Sequence, residues 1–373
     1  MVTYRYIDTQ VALDELCQHY NKASLLVLDT EFVRERTYHA ALGLIQVYDG
    51  QILALIDPLA ISDLSCFWSL LDAQHITKVV HAGSEDFEVF RHYAGVNLSP
   101  LFDSQVAAAL VGLGASLGYA KLVKEFCDIE LDKGESRTNW LARPLTDAQL
   151  TYAANDVYYL YQLYTPLLAR LKEAGKEAIC QQECARLAVK TSNKPAMEKY
   201  LDVSNAWQLD RQQLSVLQLL AAWRQNEAVK RNLAQGFIVK DSELFLIAKL
   251  LPTSLNGLRA IEGIHPMMIK RHGKTVLGLI SKGLEQKTYP EKVIRLIDYP
   301  KYKQSFKAIK ALVEEVAGEV DIPKEMIASK KLIHETLSFH WNPIAEDLEP
   351  ELPVLMSSWR HQLLGDKLEK LLD

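Results

Sequence analysis

The apolar positions change their period along the chain, and the changes mark out the elements. Leu25-Leu26-Val27-Leu28 is an unbroken apolar run that ends in acidic residues, and Leu25–Glu31 is predicted to be a buried strand. Gly43–Tyr48 and Gln51–Ile56 are further apolar runs, and the Asp49-Gly50 pair between them predicts a tight hairpin. Ser62–Leu71 has helical spacing, Lys78–His81 predicts a short strand, and Ser84–Tyr93 the helix after it. Pro100–Asp103 is a strand-like stub before a helix over 104–113, and helical spacing dominates from 116 onward. Thr146 with Gln149 three residues later forms a capping-box pattern, so a helix is predicted to start there. Three strands followed by alternating helix and strand predict an α/β sheet with helices on both faces.

Beyond about residue 195 no strand pattern appears, and the chain reads as short helices punctuated by Pro and Gly. Residues 193–203 are polar and contain Pro195, which predicts a linker, placed at 196–206. A faint repeat sets Ile238-Val239-Lys240-Asp241 against Ile322-Pro323-Lys324-Glu325, each an apolar entry before an amphipathic helix. The expected organisation is an α/β domain over 1–195 and two all-α modules over 207–285 and 292–373.

Composition narrows the class. With 373 residues, 49% hydrophobic and 24% charged, the chain has room for two or three packed domains. No apolar run reaches the ~20 residues of a membrane helix, and the first residues carry no secretory pattern. Five scattered cysteines predict neither a disulfide framework nor a zinc site. A cytoplasmic protein is expected. The net charge of −5 hides an asymmetry: residues 1–207 hold 18 Lys+Arg against 26 Asp+Glu, residues 208–285 hold 11 against 6, and residues 286–373 hold 13 against 15. The middle module alone is basic, which suits phosphate contacts or, more plainly, a solvated helical surface.

The candidate chemistry lies in the acidic part. Asp29 and Glu31 are two apart and share one face of a strand, while Tyr152 and Asp156 are four apart and share one face of a helix. Asp86 follows the predicted strand 78–81 in His81-Ala82-Gly83-Ser84-Glu85-Asp86. Each has a bland reading taken singly: hydrated carboxylates at a strand end, a helix N-terminal acid, a hydrogen-bonded helix pair. Together, carboxylates converging at the edge of a buried sheet need a cation, and hard oxygen ligands suit Mg²⁺ or Mn²⁺. Two glycine patterns are set aside. Gly273-Lys274-Thr275 lacks the remaining glycine of a P-loop and is expected to start a helix, while Gly112-x-Gly114-x₃-Gly118 has the wrong spacing for a dinucleotide loop.

These segments resemble the DEDD superfamily of 3′→5′ exonucleases, in the subtype with Tyr in its third motif, and within it the bacterial ribonuclease D family. Residues 28–34, 42–46, 81–86, 135–145 and 152–160 carry the likeness, and 205–209, 219–224 and 272–277 resemble HRDC domains. The second helical copy fits loosely, and Asn139 stands where relatives often carry Asp. The resemblance implies a ribonuclease H-like mixed sheet and a hydrolase that releases nucleoside 5′-monophosphates from RNA 3′ ends, with tRNA precursors as the expected substrate. It also implies two divalent ions on Asp29, Glu31, Asp86 and Asp156, with Tyr152 orienting the water. Asp29 would bridge the ions, Glu31 and Asp156 would complete the site of the attacking water, and Asp86 would face the leaving oxygen. Expected substrate contacts are Thr30, Phe32, His81, Ser136, Arg137 and Trp140, with Lys230, Arg231, Lys270, Arg271 and Lys274 in the basic module. His81 is expected to orient neighbours by hydrogen bonding, and Trp140 reads equally as a core anchor. A monomer without nucleotide cofactor or membrane partner is expected. A DNA-directed exonuclease and a silent RNA-binding adaptor remain as alternatives.

Overall fold

The computed structural model describes residues 2–131, 134–135, 137–189, 195–341 and 352–372. They gather into two compact units, one of Met1–Val33, Ala41–Lys190 and Tyr299–Asp373, the other of Arg34–Ala40 and Thr191–Asp298.

The first unit is built on a six-stranded sheet in the order β1-β4-β3-β2-β5-β6. The strands are β1 (Arg5–Ile7), β2 (Leu25–Val33), β3 (Ala41–Tyr48), β4 (Leu53–Ile56), β5 (Thr77–Val80) and β6 (Leu101–Asp103). β2, β3 and β4 form an antiparallel meander closed by the Asp49-Gly50 turn, while β1 joins β4 and β5 and β6 extend β2 in parallel. The helices are α1 (Gln10–Tyr20), α2 (Ser65–Leu71), α3 (Ser84–Ala94), α4 (Ser104–Leu110), α5 (Tyr119–Cys127), α6 (Asp147–Glu173) and α7 (Glu177–Val189). Leu26, Val27, Leu28, Leu44, Ile45, Val47, Val79 and Val80 are all buried, as a sheet covered by helices requires. The mixed α/β sheet expected from the sequence is thus present. Two elements escaped that reading: β1 is three residues long, too short to show alternation, and α1 precedes the first strand that the sequence marks.

The parallel strands set up the site. β2, β5 and β6 run the same way, so their carboxyl ends share one edge of the sheet, the usual position for ligands in open α/β sheets. That edge carries Asp29 and Glu31, the turn into α3 that brings Asp86, and Asp103. Helix α6 crosses β2, β3, β4 and β5, and the Thr146–Gln149 capping box fixes its start.

The C-terminal helices of this unit are α13 (Tyr302–Val320), α14 (Lys324–Ile327), α15 (Lys330–Trp341) and α16 (Ser358–Leu372). They are tied to α7 by a buried ion pair. Arg360, 1% exposed, donates to Glu183 Oε2 at 2.7 Å and to the carbonyls of Ile327 and Met326.

The second unit holds α8 (Arg211–Arg231), α9 (Gln235–Ile238), α10 (Asp241–Leu250), α11 (Leu255–Arg259) and α12 (Pro266–Glu285). The stretch expected as a linker is part of its core: Ala196–Asp202 forms a 3₁₀ helix, and Tyr200, Val203 and Ala206 are buried with Leu217, Leu220 and Val276. Apolar residues at that spacing outweigh the polar surface that suggested a linker. Residues 34–40, expected within the first domain, fold with this unit, the Arg36 carbonyl accepting from Ala234 N at 2.8 Å. The repeat is present in a different register. Asn232 and Asp321 close α8 and α13 in left-handed conformation, and each is followed by a four-residue helix, α9 or α14. Gly273 and Lys274 do not start a helix but lie inside α12. A Cβ on Gly273 would come 2.8 Å from Leu255, so this glycine serves helix packing rather than phosphate binding.

Candidate active site

Asp29 and Glu31 sit at the end of β2, where the strand leaves the sheet interior, with Thr30 between them facing the other way. Thr30 is 5% exposed and its hydroxyl donates to Asp86 Oδ1, so it orients a carboxylate rather than a nucleotide. Asp86 lies in the first turn of α3 and is itself buried. The turn before it is held by Asp103, whose oxygens accept from Ala82 N and Gly83 N at 3.1 Å each and from Gln105 N at 2.8 Å. Asp103 thereby caps α4 and fixes the backbone that delivers Asp86. His81 is pinned by Ser104 Oγ at 2.9 Å, and Ser104 in turn donates to the Val80 carbonyl. The orienting role expected of His81 matches this geometry, and burial keeps its pKa below the usual imidazole value.

Asp156 and Tyr152 come from α6, one turn apart. The buried Tyr119 hydroxyl reaches the carbonyls of Asn155 and Asp156 at 2.9 and 2.6 Å. It therefore grips the helix backbone at the residue that carries the carboxylate.

Electrostatics show that the four carboxylates converge. Burial, then the charges of Asp86, Asp156 and Glu31, push Asp29 well above the ordinary carboxylate range. Burial, then Asp156 and Asp86, push Glu31 up to about 9. Burial raises Asp156 to about 8. It raises Asp86 only to about 6, because the Thr30 hydroxyl and a backbone N–H stabilise the ionised form. Tyr152 is raised by burial and by Asp156, Glu31 and Asp29, so its phenol stays protonated at neutral pH. Among the described residues no three His, Cys, Asp or Glu side chains are drawn close enough to grip a cation as they stand. The donor set of Asp29, Glu31, Asp86 and Asp156 is oxygen alone, which fits hard divalent ions. A cavity of about 320 Å³ opens beside Tyr152 and Asp156, lined also by Leu131, Gly134, Thr151 and Asn155.

The remaining expected contacts divide. Trp140 is 1% exposed, with its ring 6.2 Å from that of Tyr152, so it backs the tyrosine from the core and cannot stack on a base. Arg137 is exposed, Phe32 is half-buried, and Ser136 lies outside the described residues. Asn139 accepts from Leu141 N at 3.1 Å, a local turn contact remote from any candidate ligand role. In the helical unit Lys230, Arg231, Lys270, Arg271 and Lys274 are all exposed. His272 of α12 lies against Trp223 of α8, with ring centroids 5.1 Å apart, so the two helices that carry these basic residues are neighbours. Arg231 also pairs with Glu227 at 2.7 Å. Sequence reasoning missed Asp103, Ser104 and Tyr119. An acid between the stub Leu101-Phe102 and the helix that starts at Ser104 was the available signal for the first.

The family described as 3′-5′ exonuclease matches residues 4–172, the HRDC domain residues 213–280, and the ribonuclease D C-terminal HRDC domain residues 300–368. Ribonuclease D of Shewanella sp. (strain ANA-3) is 46% identical over 369 residues, covering 99% of this chain and 94% of the relative. Ribonuclease D of Escherichia coli (strain K12) is 42% identical over 376 residues, covering 100% and 99%. The crystal structure of Escherichia coli RNase D, an exoribonuclease involved in structured RNA processing, superposes with a TM-score of 0.95 at 41% identity, covering 100% of this chain and 99% of that one. With the same three segments in the same order and likeness along its whole length, the chain belongs to the ribonuclease D family and is a 3′→5′ exoribonuclease.

Proposed function

We propose that Asp29, Glu31, Asp86 and Asp156 hold two divalent ions, Mg²⁺ or Mn²⁺, and that the site trims the 3′ ends of tRNA precursors. The observation that carries this reading is that burial raises all four carboxyl groups, and that the charges of Asp86 and Asp156 raise Asp29 and Glu31 further, a cost that a divalent cation offsets. When bound, such ions supply charge compensation and Lewis acidity at the scissile phosphate. The chain's own groups do the rest. Tyr152, protonated, donates a hydrogen bond that orients the attacking water, while Trp140 holds its ring from behind. The cavity beside Tyr152 and Asp156 receives the terminal nucleotide.

In this reading the α/β part of the first unit supplies the chemistry, and the helical second unit engages the body of the RNA. Lys230, Arg231, Lys270, Arg271 and Lys274 are the phosphate contacts of that unit. The protein works as a cytoplasmic monomer; no helix among the described residues is long and apolar enough to cross a membrane. Incubation with a tRNA precursor bearing a short 3′ extension tests the substrate. Stepwise shortening that slows at the mature end supports it, and equal degradation of any single-stranded RNA argues against it.

A further inference from the structure

One side chain outside the carboxylate cluster touches both halves of the site's support. Arg143 lies on the segment that leads into α6, and every donor of its guanidinium is engaged. Nε and Nη2 donate to Asp57 Oδ2 and Oδ1 at 2.6 and 2.7 Å. Nη1 donates to the carbonyls of Trp140 and Ala142 at 2.9 and 2.8 Å, and Nη2 also donates to the Gly43 carbonyl at 2.6 Å. Asp57 is 5% exposed at its side chain and accepts further from the Tyr6 hydroxyl at 2.7 Å and Leu59 N at 2.9 Å. The fork is therefore rigid at both ends.

What the fork holds matters more than the ion pair. In the β2–β3 ladder Glu31 faces Leu44 while the next residue, Phe32, faces Leu42, so Gly43 is an extra residue, a bulge opposite the step after Glu31. Its carbonyl is the one Arg143 takes. Gly43 also lies against Trp140, since an added Cβ there would be 2.5 Å from the Trp140 carbonyl oxygen and 2.9 Å from its Cβ. Trp140 in turn backs Tyr152. Arg143 thus joins the bulge beside Glu31 to the wall behind Tyr152.

We propose that Arg143, held by Asp57, is a positioning residue that keeps Glu31 and Tyr152 in register with each other. This rests on the exonuclease reading above. Lysine keeps the charge but cannot span Asp57 and the three carbonyl groups at once. The test is steady-state nucleotide release by Arg143→Lys and Arg143→Ala in the full chain, with folding checked by circular dichroism. Arg143→Lys is expected to lose at least about tenfold in kcat while KM for RNA stays within about twofold, since small misplacement of reacting groups is costly. Arg143→Ala is expected to regain turnover when millimolar guanidinium, but not sodium, is added. If Arg143→Lys does not fold, the apolar double variant Arg143→Met/Asp57→Leu, which leaves no buried charge unpaired, is held to the same kcat criterion. Folded variants with wild-type kcat and only a lower melting temperature overturn the proposal. A wild type that releases no nucleotide overturns the exonuclease reading, and the proposal with it.

Discussion

Filling the carboxylate site must expel protons, and the structure sets how many. Glu31 is held at about 9, Asp156 at about 8 and Asp86 at about 6. At pH 7 carboxyl groups at those values are ~99%, ~90% and ~10% protonated, which makes about two protons in the ion-free protein. Asp29, also raised, adds to that number. A divalent ion needs ionised ligands, so binding releases those protons and tightens as pH rises. The sign follows from the raised values. The protonated groups favour the ion-free fold at low pH, and its stability declines as pH climbs through them, while the ion-bound fold gains. With at least about two protons released, apparent Mg²⁺ affinity should rise at least ~100-fold between pH 6.5 and 7.5. Calorimetric titration in two buffers of different ionisation enthalpy gives the proton number directly. Affinity that is flat across that interval, with no buffer-dependent heat, would refute the electrostatic argument for the site.

Other outcomes follow from particular contacts. Tyr152→Phe should lower kcat by roughly 10² with RNA affinity within about twofold, because only the water-orienting hydroxyl is lost; single-turnover kinetics and filter binding separate the two. Glu183 is held at about 2, its burial being outweighed by hydrogen bonds from Arg186 and Arg360. Glu183→Gln should therefore cost roughly 3 kcal/mol in urea unfolding at pH 7, and the difference from wild type should vanish as pH falls from the ordinary carboxylate value towards 2. Gly43→Ala drives a methyl group into the Trp140 carbonyl and should lower stability by about 1–3 kcal/mol, read from the same unfolding curves. Replacing Lys270, Arg271 and Lys274 together by Ala should weaken RNA binding and make the slope of log affinity against log salt shallower by about 2. An unchanged slope removes these three from the RNA surface.

Much of the sheet was legible because its strands carry long apolar runs with strong turn signals. Leu25–Leu28 and the Asp49-Gly50 hairpin are local features, and local physics decides them. The acids were legible for a related reason: spacing by two on a strand and by four on a helix fixes a shared face wherever the element sits. What stayed hidden depends on partners far away in sequence. Arg143 carries no signal of its own until Asp57 and the Gly43 bulge meet it, and Thr30 reads as a substrate contact until Asp86 takes its hydroxyl. Trp140 was balanced between core and stacking, and only its burial against Gly43 and Tyr152 decides for the core. The stretch around Tyr200 failed differently, since its polar residues mask three apolar positions that a 3₁₀ turn brings to one side.

Loaded with divalent ions, this acidic edge is expected to remove nucleotides from an RNA 3′ end. The most direct measurement follows a single-stranded RNA carrying a labelled 3′-terminal nucleotide, with wild type and Asp156→Asn compared in Mg²⁺ and in EDTA. The account predicts a labelled nucleoside 5′-monophosphate from wild type in Mg²⁺ alone, and none from Asp156→Asn or after chelation. Equal release by Asp156→Asn, or release that persists in EDTA, would contradict it.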